Sequence, residues 1–227
     1  MQDIKYFDNY LPNDVYDKLR QDVTSIYNCA CKSVKNKSRI YMTYDTTSRI
    51  KTHFNSYPGL NEYMKAVINK RYNYIIHGIL FLEENQHGIR RHINSTMKDI
   101  VQETPYRQIG FKYKHPDYQT VTYANLPTDL QQGILTIHDP KTQDKTSIPP
   151  VNNRLIQFPG CCPHEVSEIK TADLRITLFT EQYNLSTEDL LTLRGKFFES
   201  GTLVDVGVHT ESSDDIQSGE FQMPYDG

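Results

Sequence analysis

The chain has 227 residues, 23% of them charged, and a formal net charge of −3. That length sustains one substantial core, and the near-neutral balance lacks the basic excess that nucleic-acid binding calls for. No uninterrupted apolar run is long enough for a membrane span. MQDIKYFDNYL has no apolar signal core, and four cysteines without C-x-x-C spacing fit a reducing compartment, so a cytoplasmic protein is expected.

In chain order, Ile4–Phe7 predicts a short strand. Asn13 or Asp14 can cap a helix to about Tyr27, with Val15, Leu19, Val23 and Ile26 on one face. Residues 29–51 are polar and basic around a strand candidate, Arg39–Tyr44. Pro58-Gly59 starts a second helix to about Lys70, and Tyr74–Leu82 is apolar enough for a buried strand. Residues 83–104 are polar, with a short helix expected near Ile93–Val101. From Tyr106 onward, short runs rich in Val, Ile, Thr, Tyr and Phe alternate with turn residues: 106–114, 119–125, 133–138, 145–148, 153–158, 164–169 and 174–183. This pattern predicts an all-β sandwich or barrel such as a jelly roll. Ser186-Thr187-Glu188-Asp189 then opens a helix over 186–198. Residues 201–227 hold six acids and neither Lys nor Arg, which leaves the body at about +3 and predicts a mobile tail. The expected organisation is one domain over 1–200, with helices in 1–73, a jelly-roll core over about 74–183 and the tail outside it.

Residues 115–183 resemble the double-stranded β-helix core of the Fe(II)- and 2-oxoglutarate-dependent dioxygenases. HPDYQTVTYANL is similar to the family's His-x-Asp strand and the strand after it. QGILTIHDP is similar to a segment that often starts with paired glycines, here only Gly133. NNRLIQFPGCCPHEV matches an apolar strand followed by His, and LRITLF matches the Arg-x-Ser/Thr strand. IKYFDNYLPNDVYDKL resembles the opening strand and helix of the prolyl-hydroxylase-like branch.

The resemblance implies His115, Asp117 and His164 as ligands of Fe(II). Two imidazoles and a carboxylate on one face of the ion leave three positions open. Residues i and i+2 of a strand share a side, which would let His115 and Asp117 face the interior together. The cosubstrate 2-oxoglutarate would chelate iron. Its far carboxylate would meet Arg175, whose planar guanidinium suits it, with Thr177 and Tyr123 as further contacts. Oxygen activation with decarboxylation to succinate would then hydroxylate an aliphatic C–H, with ascorbate a further candidate cofactor. The branch points to a prolyl or related residue of a peptide or protein, or to a free amino acid. A nucleobase or small-metabolite oxygenase, or a metal-free jelly-roll binding protein, are the alternatives. Neither a nucleic-acid partner nor a membrane is favoured.

Each residue also has a plainer role open to it. Pro116 cannot donate to a sheet ladder and favours a turn at His115–Asp117. His164 can be a core histidine, and Arg175 a strand-surface arginine. His138-Asp139 are adjacent and point to opposite faces, which fits a turn. His77, His87 and His92 share no helix or strand spacing and read as structural or surface residues. Cys161 and Cys162 fall near the expected metal, where packing is the commoner use. The basic stretch 32–51 reads as a solvated face.

Overall fold

The computed structural model describes residues 4–28, 37–45, 57–82, 88–94, 97–100, 111–187 and 209–210. The helix expected over 186–198 lies almost wholly outside them, as do His87, Cys29, Cys31 and most of the acidic tail. Strands β1 (Lys5–Phe7), β2 (Lys37–Asp45), β3 (Tyr74–Leu82), β7 (Tyr118–Asn125), β11 (Leu155–Pro159), β14 (Arg175–Tyr183) and β15 (His209–Thr210) build one sheet in the order β1-β11-β7-β14-β3-β2-β15. A second sheet runs β10 (Lys145–Ile148), β9 (Leu135–His138), β12 (His164–Val166), β4 (Ile89–His92). Two small pairs complete the set, β5 (Met97–Ile100) with β6 (Phe111–Lys114) and β8 (Gln131–Gln132) with β13 (Ile169–Lys170). All the pairings are antiparallel. This is the expected jelly-roll arrangement.

The centre of the large sheet, β3 and β14, is buried on both faces. β3 reads YIIHGILFL and is buried along its whole length. Ile75, Ile79 and Phe81 pack with Ile176 and Leu178 against two helices, α1 (Asn13–Ile26) and α2 (Pro58–Val67). The alternate residues of β3 and β14 face the second sheet, where Leu80 and Leu82 meet Ile169, Ile89 and Val166. Leu19, Val23, Leu60 and Met64 are fully buried on the helices. Each such side chain contributes about 1.5–3 kcal/mol relative to exposure. At Gly59, a Cβ would come within 2.3 Å of the Leu19 backbone nitrogen. Glycine there lets the two helices touch backbone to backbone.

Three local expectations are corrected. The cap of α1 is Pro12, with no side-chain cap: its carbonyl accepts from Val15 and Tyr16 N–H, so Asn13 and Asp14 lie inside the helix. α2 stops at Val67 because Ile68 is extended. The segment Ile93–Val101 is not helical where it is described, and Met97–Ile100 pairs as a strand with Phe111–Lys114. Within the tail, His209 and Thr210 pair with Arg39 and Ser38 of β2. No helix among the described residues is long and apolar enough to cross a membrane.

Candidate active site

The interior between the two sheets holds two polar clusters. The first centres on His164, which opens β12 and is 6% exposed. Its cross-strand neighbour on β4 is His92, and the two ring centroids are 4.4 Å apart. His164 Nδ1–H donates to the Cys162 carbonyl at 3.1 Å, and His92 Nδ1–H donates to the Arg90 carbonyl at 2.8 Å. Both rings are thereby fixed in the tautomer whose lone pair is on Nε2, the state a metal-ligating imidazole adopts. The Phe158 ring stands edge-on to His164 at 5.2 Å. Burial, with His92 close by, pushes the His164 imidazole down to about 3, so it is neutral at physiological pH.

The second cluster is built on β14 and β7. Arg175 is 3% exposed, and its Nε and Nη1 have no hydrogen-bond partner among the described residues. Thr177, two residues along and so on the same face, also has a buried hydroxyl without a partner. Directly opposite Thr177 on β7 is Tyr123, whose ring lies under the Arg175 guanidinium at 5.3 Å. A register shift in β14 between Ile176 and Thr177 brings Tyr123 into that position. Burial lowers the Arg175 pKa and raises that of Tyr123, the latter against the pull of the neighbouring guanidinium. A buried cation without a counter-charge is costly, and here two of its nitrogens and the Thr177 hydroxyl have no hydrogen-bond partner among the described residues. Gly133 adds the wall: its φ is +75°, and a Cβ would sit 2.7 Å from Arg175 Nη1. Tyr123 also packs with Leu135, Ile137 and Phe158, the core that leads toward His164.

The structure therefore brings Arg175, Thr177 and Tyr123 together and places His164 in the same interior, but it does not bring His115 and Asp117 to His164. Both are exposed and lie in the link before β7, where Pro116 breaks the strand. The Asp117 carboxylate accepts the Asn184 N–H at 2.6 Å, and His115 Nδ1–H donates to the Asn94 carbonyl at 2.9 Å. Among the described residues, no group of three or more His, Cys, Asp or Glu side chains is gathered for a metal ion. The neighbour that His164 does have is His92, which the sequence pattern marks only as a structural or surface residue. The available signal was His92-x-Asn94, which has the same spacing as His-x-Asp with an amide in place of the acid.

The remaining candidates resolve simply. Asp139 accepts from Lys141 and Thr142 N–H in a turn, as expected, whereas His138 is not in the turn but ends β9, paired with Lys145, and meets Glu165 at 3.0 Å. His77 faces α2 beside Tyr63, with its Nδ1–H on the Phe179 carbonyl. Cys162 is a buried core residue whose thiol is pushed up to about 12 by burial, and Cys161 is exposed.

No family model matches this sequence, and no curated protein matches it. Solved structures share its fold. A prolyl-4-hydroxylase from Pseudomonas putida superposes with a TM-score of 0.55 at 13% identity, over 82% of this chain and 95% of that one. A prolyl hydroxylase from Trichoplax adhaerens, in complex with a hypoxia inducible factor peptide fragment, gives 0.50 at 16% identity, over 83% and 86%. A rice dioxygenase for auxin oxidation gives 0.51 at 7% identity, over 82% and 77%. The two sheets and their connections thus form the double-stranded β-helix fold of these oxygenases.

Proposed function

We propose that this chain is an Fe(II)- and 2-oxoglutarate-dependent dioxygenase that hydroxylates an aliphatic C–H of a prolyl or related residue in a peptide. The observation that carries this reading is the buried Arg175 guanidinium. Two of its nitrogens and the Thr177 hydroxyl converge without partners in the interior that also contains the His92–His164 pair. That corner fits one carboxylate of a dicarboxylic acid, and the imidazole pair fits a divalent metal through Nε2.

In this reading, His92 and His164 hold the metal, and their Nδ1–H bonds to the Arg90 and Cys162 carbonyls keep the rings oriented. Bound Fe(II) with 2-oxoglutarate supplies the oxygen activation and the oxidation of the C–H bond. Arg175 and Thr177 bind the distal carboxylate. Tyr123 closes the floor beneath the guanidinium and keeps water from it. Phe158, edge-on to His164, supplies an apolar wall beside the metal. The peptide substrate draws on the two prolyl hydroxylases that share the fold, one of them carrying a peptide. The auxin-oxidising neighbour keeps a small metabolite as the second substrate class to screen.

The test is succinate formation from 2-oxoglutarate by the full chain with Fe(II) and ascorbate, beside His164→Ala and Arg175→Met. Succinate from the parent and from neither variant is the expected result, with proline-containing peptides stimulating the parent. A parent chain that binds neither metal nor 2-oxoglutarate would instead be a non-catalytic jelly-roll protein.

A further inference from the structure

Two histidines leave a metal site short of a third protein ligand, and no acid stands beside them among the described residues. We propose that the third position is the neutral side-chain oxygen of Asn94, aimed by Gln119, so that the protein offers the metal no carboxylate. This rests on His92 and His164 being the metal pair. Asn94 lies two residues beyond His92, the offset that returns a side chain to the same side of an extended chain. Its Nδ2 donates to Gln119 Oε1 at 2.9 Å, and Gln119 Nε2 donates in turn to the Gly160 carbonyl at 3.2 Å. Gln119 is 3% exposed, so this orientation is enforced by burial. Across the β7–β11 pair, Gln119 faces Phe158, whose ring abuts His164. Ring contacts join His92 to His164 and His164 to Phe158, strand pairing sets Gln119 beside Phe158, and a hydrogen bond joins Gln119 to Asn94. With its NH2 committed to Gln119, the Asn94 amide presents its oxygen, a competent ligand for a divalent cation.

The consequence is electrostatic. Two imidazoles and an amide leave the full charge of a divalent ion uncompensated by the protein. A dianionic cosubstrate such as 2-oxoglutarate supplies the compensation, so metal and cosubstrate bind with positive coupling, each raising the affinity of the other.

The experiment is a calorimetric titration of the full chain with Mn(II), with and without 2-oxoglutarate, for the parent, Asn94→Asp, Asn94→Ala, Gln119→Leu and His164→Ala. Circular dichroism confirms that each is folded. The parent is expected to bind Mn(II) more tightly by roughly tenfold or more when 2-oxoglutarate is present. Asn94→Asp, of the same shape, should tighten binding of the bare metal by at least about tenfold and shrink the coupling. Asn94→Ala and Gln119→Leu should weaken it by roughly tenfold. If Asn94→Asp and Asn94→Ala both stay within about twofold of the parent while His164→Ala loses the metal, the Asn94 assignment is overturned and the histidine pair stands. If neither the parent nor Asn94→Asp binds Mn(II), the histidine pair itself is wrong and this proposal falls with it.

Discussion

His92 and His164 stand opposite each other on neighbouring strands, ring centroids 4.4 Å apart, and each donates its Nδ1–H to a carbonyl two residues earlier in its own segment. A buried and a half-buried imidazole held this close, in the same tautomer, gain little as core packing. As a chelating pair, each presents Nε2 with its orientation already fixed. His92→Ala and His164→Ala should each abolish Mn(II) binding and succinate formation. His115→Ala and Asp117→Asn should retain both to within a few-fold, because those side chains bond to backbone groups, the Asn94 carbonyl and the Asn184 N–H, and not to either imidazole. Metal binding lost on His115→Ala and Asp117→Asn but kept on His92→Ala would restore the ligand set read from the sequence.

Arg175 gives a prediction with opposite signs in two assays. Without an anion, its guanidinium is buried with Nε and Nη1 unpartnered, and a Met of similar length removes that cost. Arg175→Met should therefore leave the unliganded chain as stable or raise its stability by about 1–3 kcal/mol. The same change should weaken 2-oxoglutarate binding roughly a hundredfold, as truncating a buried charge pair does. Thr177→Val should cost only several-fold, the value of about one hydrogen bond. Thermal melts with and without 2-oxoglutarate read both effects. A large stabilising shift by 2-oxoglutarate in Arg175→Met would remove the anchor role.

Much of the placement of these candidate residues was legible in the sequence. LRITLF places Arg175 and Thr177 on one face by the period of two alone, and the strand after NNRLIQFPG delivers His164 to the interior. His92 was not legible. Its strand, Ile89–His92, has two arginines and only one aliphatic residue, so it carries no alternation that marks a buried strand. It is a strand because β12 pairs with it from 72 positions downstream, a long-range contact that no local pattern encodes. His115-Pro116-Asp117 had the right letters, but Pro116 put them in a link. The short helix expected at Ile93–Val101 failed for a similar reason: Met97–Ile100 is held extended by its partner strand, which overrides local propensity.

The pH dependence of stability should carry the mark of His77. It is fully buried against Tyr63, and burial pushes its pKa down to about 3. In the unfolded chain it titrates near 6.5, so between these values the unfolded state binds more protons and stability rises with pH. Full stability is present above about pH 6.5 and is lost as pH falls toward 3, by at most about 1.4 kcal/mol per pH unit for one histidine. His77→Gln should flatten the slope of unfolding free energy between pH 6.5 and 4.5 by up to that amount. An unchanged slope would mean that His77 accepts a proton in the folded state.

Asn153 ties the N-terminal segment to the sheet, and its loss should be felt across the fold. Its side chain accepts the Leu11 N–H at 3.0 Å and donates to the Leu11 carbonyl at 2.8 Å, both buried. Its backbone N–H donates to the Tyr123 carbonyl, and its own carbonyl accepts from Tyr10, so one residue joins β7 to the segment before α1. Its φ of 57° is a left-handed conformation that Asn tolerates better than other non-glycine residues. Asn153→Ala removes two hydrogen bonds, leaves both polar groups of Leu11 buried and adds left-handed strain. About 2–4 kcal/mol of destabilisation is expected. Asn153→Gly loses the same bonds without the strain and should cost about 1 kcal/mol less than Asn153→Ala. Urea denaturation separates the two. Equal losses would mean that the hydrogen bonds to Leu11 dominate and the backbone conformation costs nothing, whereas a near-zero loss for both would show that the N-terminal segment docks without them.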